Sequence, residues 1–312
     1  MGLGKAVRSG EPEALMNVTD IKIIGVIGAG QMGSGIAQVA AACGYRTVLS
    51  DVDVDLSARA KLKIGTVLER QVAKGKMSEG ARTELLDRIE PAGGPSALAE
   101  CDYVVEAATE NLELKLQILR EADAQMKKKA AILASNTSSI SITKLAAAVS
   151  RPAQVIGMHF MNPVPLMKLV EIVRSLQTSA ETYETTRALA LAMGKTVITS
   201  NDRPGFVVNR VLIPFLNEAC YALEDGVATP EDIDQGVRLG LNHPMGPLEL
   251  ADLIGLDTVL SIAEVLHRDC GDDKYRPAIV LRNLVAAGWY GKKTGRGFYV
   301  YDDKGEKQKS SL

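Results

Sequence analysis

His159 and Glu171, twelve positions apart, are the residues of this chain best suited to move a proton. His159 follows the apolar pair Val155-Ile156 within the run Gly157-Met158-His159-Phe160-Met161-Asn162-Pro163. Glu171 falls in Lys168-Leu169-Val170-Glu171-Ile172-Val173, an apolar, strand-like run in which a carboxylate is costly to bury without a partner. On adjacent strands the two would meet; the carboxylate would then fix the imidazole tautomer and stabilise the imidazolium as a proton arrives. Lys168 is the alternative, structural partner for Glu171. A lone histidine is more often structural than catalytic. What reverses that balance is the expected position of His159 at the carboxyl end of a strand, where open α/β sheets bind their ligands. His243, in the turn-rich Asn242-His243-Pro244-Met245-Gly246-Pro247, reads as structural, and His267, after an amphipathic run, as a surface residue.

A second constellation lies far upstream. Gly28-Ala29-Gly30-Gln31-Met32-Gly33 follows an apolar run and opens an alanine-rich helical one. Gly28 suits the tight turn, Gly30 the approach of a diphosphate to the backbone, and Gly33 close packing of helix on strand. The helix N-terminus adds unpaired N–H groups and partial positive charge. Glycine-rich turns are common, so the motif alone is weak, but Asp51 lies eighteen residues past Gly33 at the end of the next strand-like run. An acid there accepts from the adenosine ribose hydroxyls and repels a 2′-phosphate, which favours NAD over NADP. Asp53 competes for that role, and its plainer one is to start the following helix. A hydride acceptor with a histidine–carboxylate pair is the minimum equipment for oxidising a secondary alcohol.

Other polar residues fall at strand ends or helix starts. Asn136 and Ser138 end a strand-like run and could reach nicotinamide or substrate, although serines in a polar loop also simply form turns. Glu110 opens a helix, whose positive end favours it, and also suits the nicotinamide ribose. Asn209, in Pro204-Gly205-Phe206-Val207-Val208-Asn209-Arg210, is a candidate substrate contact, with capping or solvent exposure the equal alternative.

The elements that must position these groups alternate. Strand-like runs cover residues 21–27, 47–51, 103–106, 132–136, 155–158, 169–173 and 196–199, with helical runs at 31–43, 56–76 and 112–127. Beyond Asp202-Arg203-Pro204-Gly205 strand-like runs nearly vanish, and helical patterns occupy 207–224, 230–239 and 248–267. The expected fold is α/β: a doubly wound, mostly parallel Rossmann-type sheet over residues 21–201 and a smaller all-helical domain over 202–312. Residues 1–20 read as a disordered extension, with no secretory apolar core and with Glu11 and Glu13, which a transit peptide avoids.

Bulk composition bounds the function classes. The chain has 312 residues, 24% charged and 46% hydrophobic, with a net charge of -2. No excess of Lys and Arg is available to neutralise a nucleic-acid backbone, so a nucleic-acid partner is not expected. No run approaches the apolar length that spans a bilayer, so no membrane partner is expected either. Cys43, Cys101, Cys220 and Cys270 are scattered, with neither a C-x-x-C pair nor metal-ligand spacing, which suits thiols in a reducing compartment, no metal, and a cytoplasmic default.

Taken together, Val26-Ile27-Gly28-Ala29-Gly30-Gln31-Met32-Gly33, Ser135-Asn136-Thr137-Ser138-Ser139, the segment from His159 to Pro165, Pro204 to Arg210, His243 to Leu250, and Gly295-Arg296-Gly297-Phe298-Tyr299 resemble the 3-hydroxyacyl-CoA dehydrogenase family. The likeness runs from about Ile23 to Tyr301, and the whole set in this order is highly specific; bacterial 3-hydroxybutyryl-CoA dehydrogenases look most similar. The resemblance implies NAD as cofactor, an acyl-CoA substrate and catalysis by His159 assisted by Glu171. It further implies that Ser138 and Asn209 contact the substrate, that Asn162 shapes the site, and that the chain forms a homodimer through the helical domain. Gln31, Met32, Ala107 and Lys115 complete the expected cofactor contacts. CoA phosphates would meet basic residues on the helix after the second strand, with Lys61, Lys63, Arg70 and Lys74 as candidates. Two rivals remain: a dehydrogenase of a free hydroxy acid, of the kind that commonly uses an active-site lysine, and a non-catalytic NAD-binding protein on the same fold.

Overall fold

The computed structural model describes residues 17–312, which divide into two compact units meeting in sequence at Asp202 and Arg203. The expected extension over residues 1–20 lies outside the described residues up to position 16; Val18–Asp20 form a single 3-10 turn.

The first unit contains β1 (Ile23–Ile27), α1 (Gln31–Ala42), β2 (Arg46–Asp51), α2 (Val54–Ala73), α3 (Glu79–Asp87), β3 (Ile89–Gly93), β4 (Tyr103–Glu106), α4 (Leu112–Gln125), β5 (Ile132–Ser135), α5 (Ile142–Ala146), β6 (Val155–Phe160), β7 (Leu169–Arg174), α6 (Ala180–Ala192) and β8 (Thr196–Asn201). The eight strands run in the order β3-β2-β1-β4-β5-β6-β7-β8. All neighbours are parallel except β6 and β7, which are antiparallel. Three adjacent central strands, β4, β5 and β6, are buried at every residue, which is why they read as continuous rather than alternating apolar runs. The strand order changes direction between β1 and β4, which puts the carboxyl ends of both at a topological switch point, the place where such sheets open to a ligand.

Capping residues explain where helices start. Asp53 accepts from the backbone N–H of Asp55 at 3.0 Å and begins α2, the helix-starting role expected of it. Asn111 does the same for α4 through the N–H of Leu114.

The second unit holds α7 (Val208–Glu224), α8 (Pro230–Gly240), α9 (Pro247–Ile254), α10 (Leu256–Cys270) and α11 (Ile279–Ala286) around a core of its own. A small antiparallel hairpin, β9 (Tyr299–Tyr301) with β10 (Lys307–Ser310), adds to the helical pattern the sequence suggests. The single helix expected over 248–267 is two, because Gly255 sits at φ +102° between α9 and α10.

Two buried carboxylates organise this unit. Asp252 accepts from the backbone N–H groups of Phe298 and Tyr299, both at 2.9 Å, and from the Tyr301 hydroxyl at 3.1 Å. Asp234 accepts from Leu248 N, Glu249 N and the Tyr299 hydroxyl. Burial pushes the Asp252 carboxyl up to about 6 against the pull of its donors, and Asp234 adds to the rise. Its folded value lies above the ordinary 3.8, so this group favours the fold most below about pH 4 and that contribution is lost as pH rises through 6. Asp252→Ala leaves three buried donors without an acceptor and is expected to cost the second unit about 3 kcal/mol or more. Urea unfolding at pH 7 measures this; a loss below about 1 kcal/mol would contradict the assigned role.

Candidate active site

The turn from β1 into α1 is built for close approach. Gly28 sits at φ +98° and donates its N–H to Ser50 O at 2.8 Å. A Cβ on Gly33 would lie 1.8 Å from Gly28 O, so helix and strand meet at a distance only glycine allows. A Cβ on Gly30 would meet nothing within 4 Å and would instead project into open space. That space is a cavity of about 540 Å3 lined in part by Gly28, Gly30, Gln31, Met32, Asp51 and Ala107. A glycine cradle that a Cβ would fill, at the N-terminus of α1 and beside an acid, fits a dinucleotide diphosphate and its ribose.

Asp51 is half-buried at the end of β2, and its carboxylate accepts from Ala29 N at 2.6 Å and Val52 N at 2.8 Å. The acid therefore also ties the glycine turn to β2. The loop after β4, whose Ala107 and Ala108 line the cavity, is held by Glu106, which is fully buried. Its Oε1 accepts from Ala108 N at 2.7 Å and from the Lys115 ammonium at 2.6 Å, while Oε2 accepts from the Ser135 hydroxyl at 2.6 Å. Lys115, a candidate cofactor contact in the sequence, thus directs its charge into a buried ion pair and also donates to Ala108 O at 3.3 Å. The sequence alone gives Glu106 no role, although Tyr103-Val104-Val105-Glu106 places a carboxylate in an apolar strand, the same signal that singles out Glu171.

The carboxyl end of β5 lies beside that of β4 in the sheet. The Asn136 side-chain oxygen accepts from Phe160 N at 2.8 Å, which pins β5 to the end of β6. Glu110 is exposed, and its carboxylate gathers the Thr137 hydroxyl at 2.7 Å, Ser138 N at 2.7 Å and the Ser138 hydroxyl at 3.2 Å. Glu110 and Ser138 are therefore in contact. Asn162 lies exposed in the connection between β6 and β7.

At the centre of this edge His159 and Glu171 pair directly across the antiparallel β6–β7 ladder. His159 Nδ1 stands 2.8 Å from Glu171 Oε2. The Glu171 side chain is 0% exposed and that of His159 9%, so the pair is largely shielded from water. The carboxylate acceptor holds the proton on Nδ1 and makes Nε2 the basic nitrogen.

The remaining candidates are dispersed. Lys61 is half-buried on α2, where with Leu62, Gly65, Thr66 and Arg82 it lines a groove of about 460 Å3. Lys63, Arg70 and Lys74 are exposed on the same segment. Asn209 is half-buried in the first turn of α7, in the second unit.

Family models match both units: the 3-hydroxyacyl-CoA dehydrogenase NAD binding domain over residues 23–203, and the C-terminal domain of the same family over 205–301. The chain belongs to the 3-hydroxyacyl-CoA dehydrogenase family. It is thus an NAD-dependent oxidoreductase whose first unit is the family's NAD-binding domain. It is 53% identical over 281 residues to the 3-hydroxybutyryl-CoA dehydrogenase of Bradyrhizobium diazoefficiens, covering 90% of this chain and 96% of that one. A probable 3-hydroxybutyryl-CoA dehydrogenase of Bacillus subtilis is 52% identical over 91% of this chain and 99% of its own. Among solved structures, (S)-3-hydroxybutyryl-CoA dehydrogenase from Ralstonia eutropha superposes with a TM-score of 0.88 at 49% identity, covering 91% of this chain and 100% of that one.

Proposed function

We propose that this 3-hydroxyacyl-CoA dehydrogenase interconverts a short-chain 3-hydroxyacyl-CoA, of the 3-hydroxybutyryl-CoA class that its relatives' names give, and the 3-oxoacyl-CoA. The observation that carries the reading is the 2.8 Å contact between His159 and Glu171 in the NAD-binding unit. His159 Nε2 takes the C3 hydroxyl proton, and Glu171 stabilises the imidazolium that results. In the reverse direction the same imidazolium is the general acid. NAD, when bound, supplies the hydride acceptor. Asp51, with Gly28, Gly30, Gln31, Met32 and Gly33, binds its adenosine and diphosphate end, while Ala107, Glu110, Asn136, Asn162 and Lys115 shape the nicotinamide end. For Lys115 that role passes through Glu106, which fixes the loop at Ala108. Ser138 and Asn209 orient the substrate, and Lys61 and Arg70 meet its CoA phosphates.

A free-acid dehydrogenase with a catalytic lysine is less well supported, because the two buried lysines among the described residues of this unit, Lys115 and Lys195, direct their ammonium groups to a carboxylate and to backbone carbonyls. We also propose a cytoplasmic homodimer formed through the second unit. Exposed Val211 and Leu241 and free thiols at all four cysteines support that reading, and no helix among the described residues is long and apolar enough to cross a membrane.

The test offers acetoacetyl-CoA and free acetoacetate separately and follows loss of reduced-nicotinamide absorbance. Rapid NADH oxidation with the thioester and little with the free acid is expected. Equal rates, or none with the thioester, would overturn the substrate assignment.

A further inference from the structure

The connection between the two catalytic strands, residues 161–168, has an unusual anchor. Its middle is folded back by Leu166 N and Met167 N, both donating to Pro163 O at 3.0 Å. Lys195, just before β8 and 8% exposed, reaches beneath it and donates its ammonium to Val164 O at 2.6 Å and Met167 O at 2.9 Å. No carboxylate takes part in these contacts. An ammonium in such a place is costly, since burial disfavours its charge, and a methionine or leucine would fill the volume more cheaply. Burial lowers its pKa, with the Cys43 thiol as the ionisable neighbour acting the other way.

The loop it grips is keyed on both sides. Val164 is 2% exposed and packs on α1 at Gly35, where a Cβ would come within 2.8 Å of Val164 Cβ. Thr196 N donates to Lys168 O at 2.8 Å, so the residue after Lys195 secures the end of the same loop. The loop in turn sets where β7 starts against β6, and hence the register that places Glu171 opposite His159 and Val170 opposite Phe160. A slip of one residue in that register would turn Glu171 to the other face of the sheet.

We propose that Lys195 is a positioning residue for the acid–base pair, its ammonium clamping the β6–β7 connection through the carbonyls of Val164 and Met167. The proposal rests on the reading of His159 and Glu171 as that pair. It assigns Lys195 no contact with substrate or cofactor. The clamp acts only through the geometry of the strand pair.

The experiment compares Lys195→Met, Lys195→Arg and His159→Gln in the full chain. For Lys195→Met, kcat with acetoacetyl-CoA is expected to fall about tenfold to a hundredfold, as a small misplacement of a catalytic group does. The kcat–pH profile should move, since the imidazole then sits differently against its carboxylate. NADH affinity should fall far less than kcat, because the glycine turn is untouched. Amide exchange at Leu166 and Met167 should quicken, and Lys195→Arg, which keeps a cation and its donors, should restore part of both losses. Should Lys195→Met be recovered unfolded, Lys195→Gln, neutral but still a donor, carries the same readouts. A folded variant with unchanged kcat and pH profile, beside an inactive His159→Gln, would overturn the clamp alone. So would a loss of kcat matched by lost active-site concentration with the pH profile unmoved. Near-normal turnover by His159→Gln would overturn the pair and the clamp together.

Discussion

Gly33→Ala is expected to unfold the dinucleotide turn, whereas Gly30→Ala is expected to leave the fold intact and still lose the cofactor. The added methyl at position 33 would stand 1.8 Å from Gly28 O and 3.0 Å from its carbonyl carbon. Both obstacles are backbone, so no rotamer change relieves them, and α1 must move off β1. Overpacking of this kind costs about 1–3 kcal/mol and more where the backbone cannot yield. For a unit of this size, 3 kcal/mol corresponds to a fall in Tm of roughly 6–12 °C. At position 30 the backbone angles, φ -69° and ψ -170°, suit any residue, and a Cβ has nothing within 4 Å. The methyl there enters only the space proposed for the diphosphate, so Tm should fall by no more than about 2–4 °C, the equivalent of 1 kcal/mol. NADH affinity should weaken about tenfold or more through lost backbone contacts. Thermal melts with fluorescence titration of NADH separate the two effects. Unaltered NADH binding by Gly30→Ala would mean that the diphosphate lies elsewhere.

These contrasts bear on what the chain makes legible. The β1–turn–α1–β2 unit can be read directly, because each glycine answers a separate steric demand and Asp51 follows at the expected spacing. The pairing of His159 with Glu171 can also be anticipated, since a carboxylate inside Leu169-Val170-Glu171-Ile172-Val173 has to find a partner. Strand direction is harder. Nothing in the apolar runs says that β6 and β7 are antiparallel while their outer neighbours are parallel, and the contact depends on that reversal.

The elements left unread have a common cause. Strand β3, Ile89-Glu90-Pro91-Ala92-Gly93, is an edge strand, where Pro91 is tolerated and Ile89 alone is fully buried, so its pattern is faint. Strand β10 is charged and mostly exposed for the same reason. The partners Glu106–Lys115 and Asp252–Tyr301 join residues in different elements, and no local period connects them. The 248–267 pattern is helical throughout, and only the left-handed backbone at Gly255 divides it.

The second large effect is expected at His159, the proposed base. In His159→Gln the side chain keeps a polar group near Glu171 but has no nitrogen able to accept a proton at neutral pH. General acid–base catalysis contributes about 10²–10⁴-fold, and kcat should fall within that range. The glycine turn proposed to hold the diphosphate lies on β1 and α1 beside β2, away from the substituted position on β6, so most of the NADH affinity should be preserved. Loss of kcat without loss of cofactor affinity is the mark of an interaction made in the transition state.

The most direct test therefore measures, on the same preparations of wild type and His159→Gln, the rate of NADH oxidation by acetoacetyl-CoA and the dissociation constant of NADH. A fall of about 10²-fold or more in turnover at unchanged NADH affinity is the predicted result. Turnover close to wild type, or parallel loss of turnover and NADH binding, would contradict the assignment of His159 as the acid–base residue.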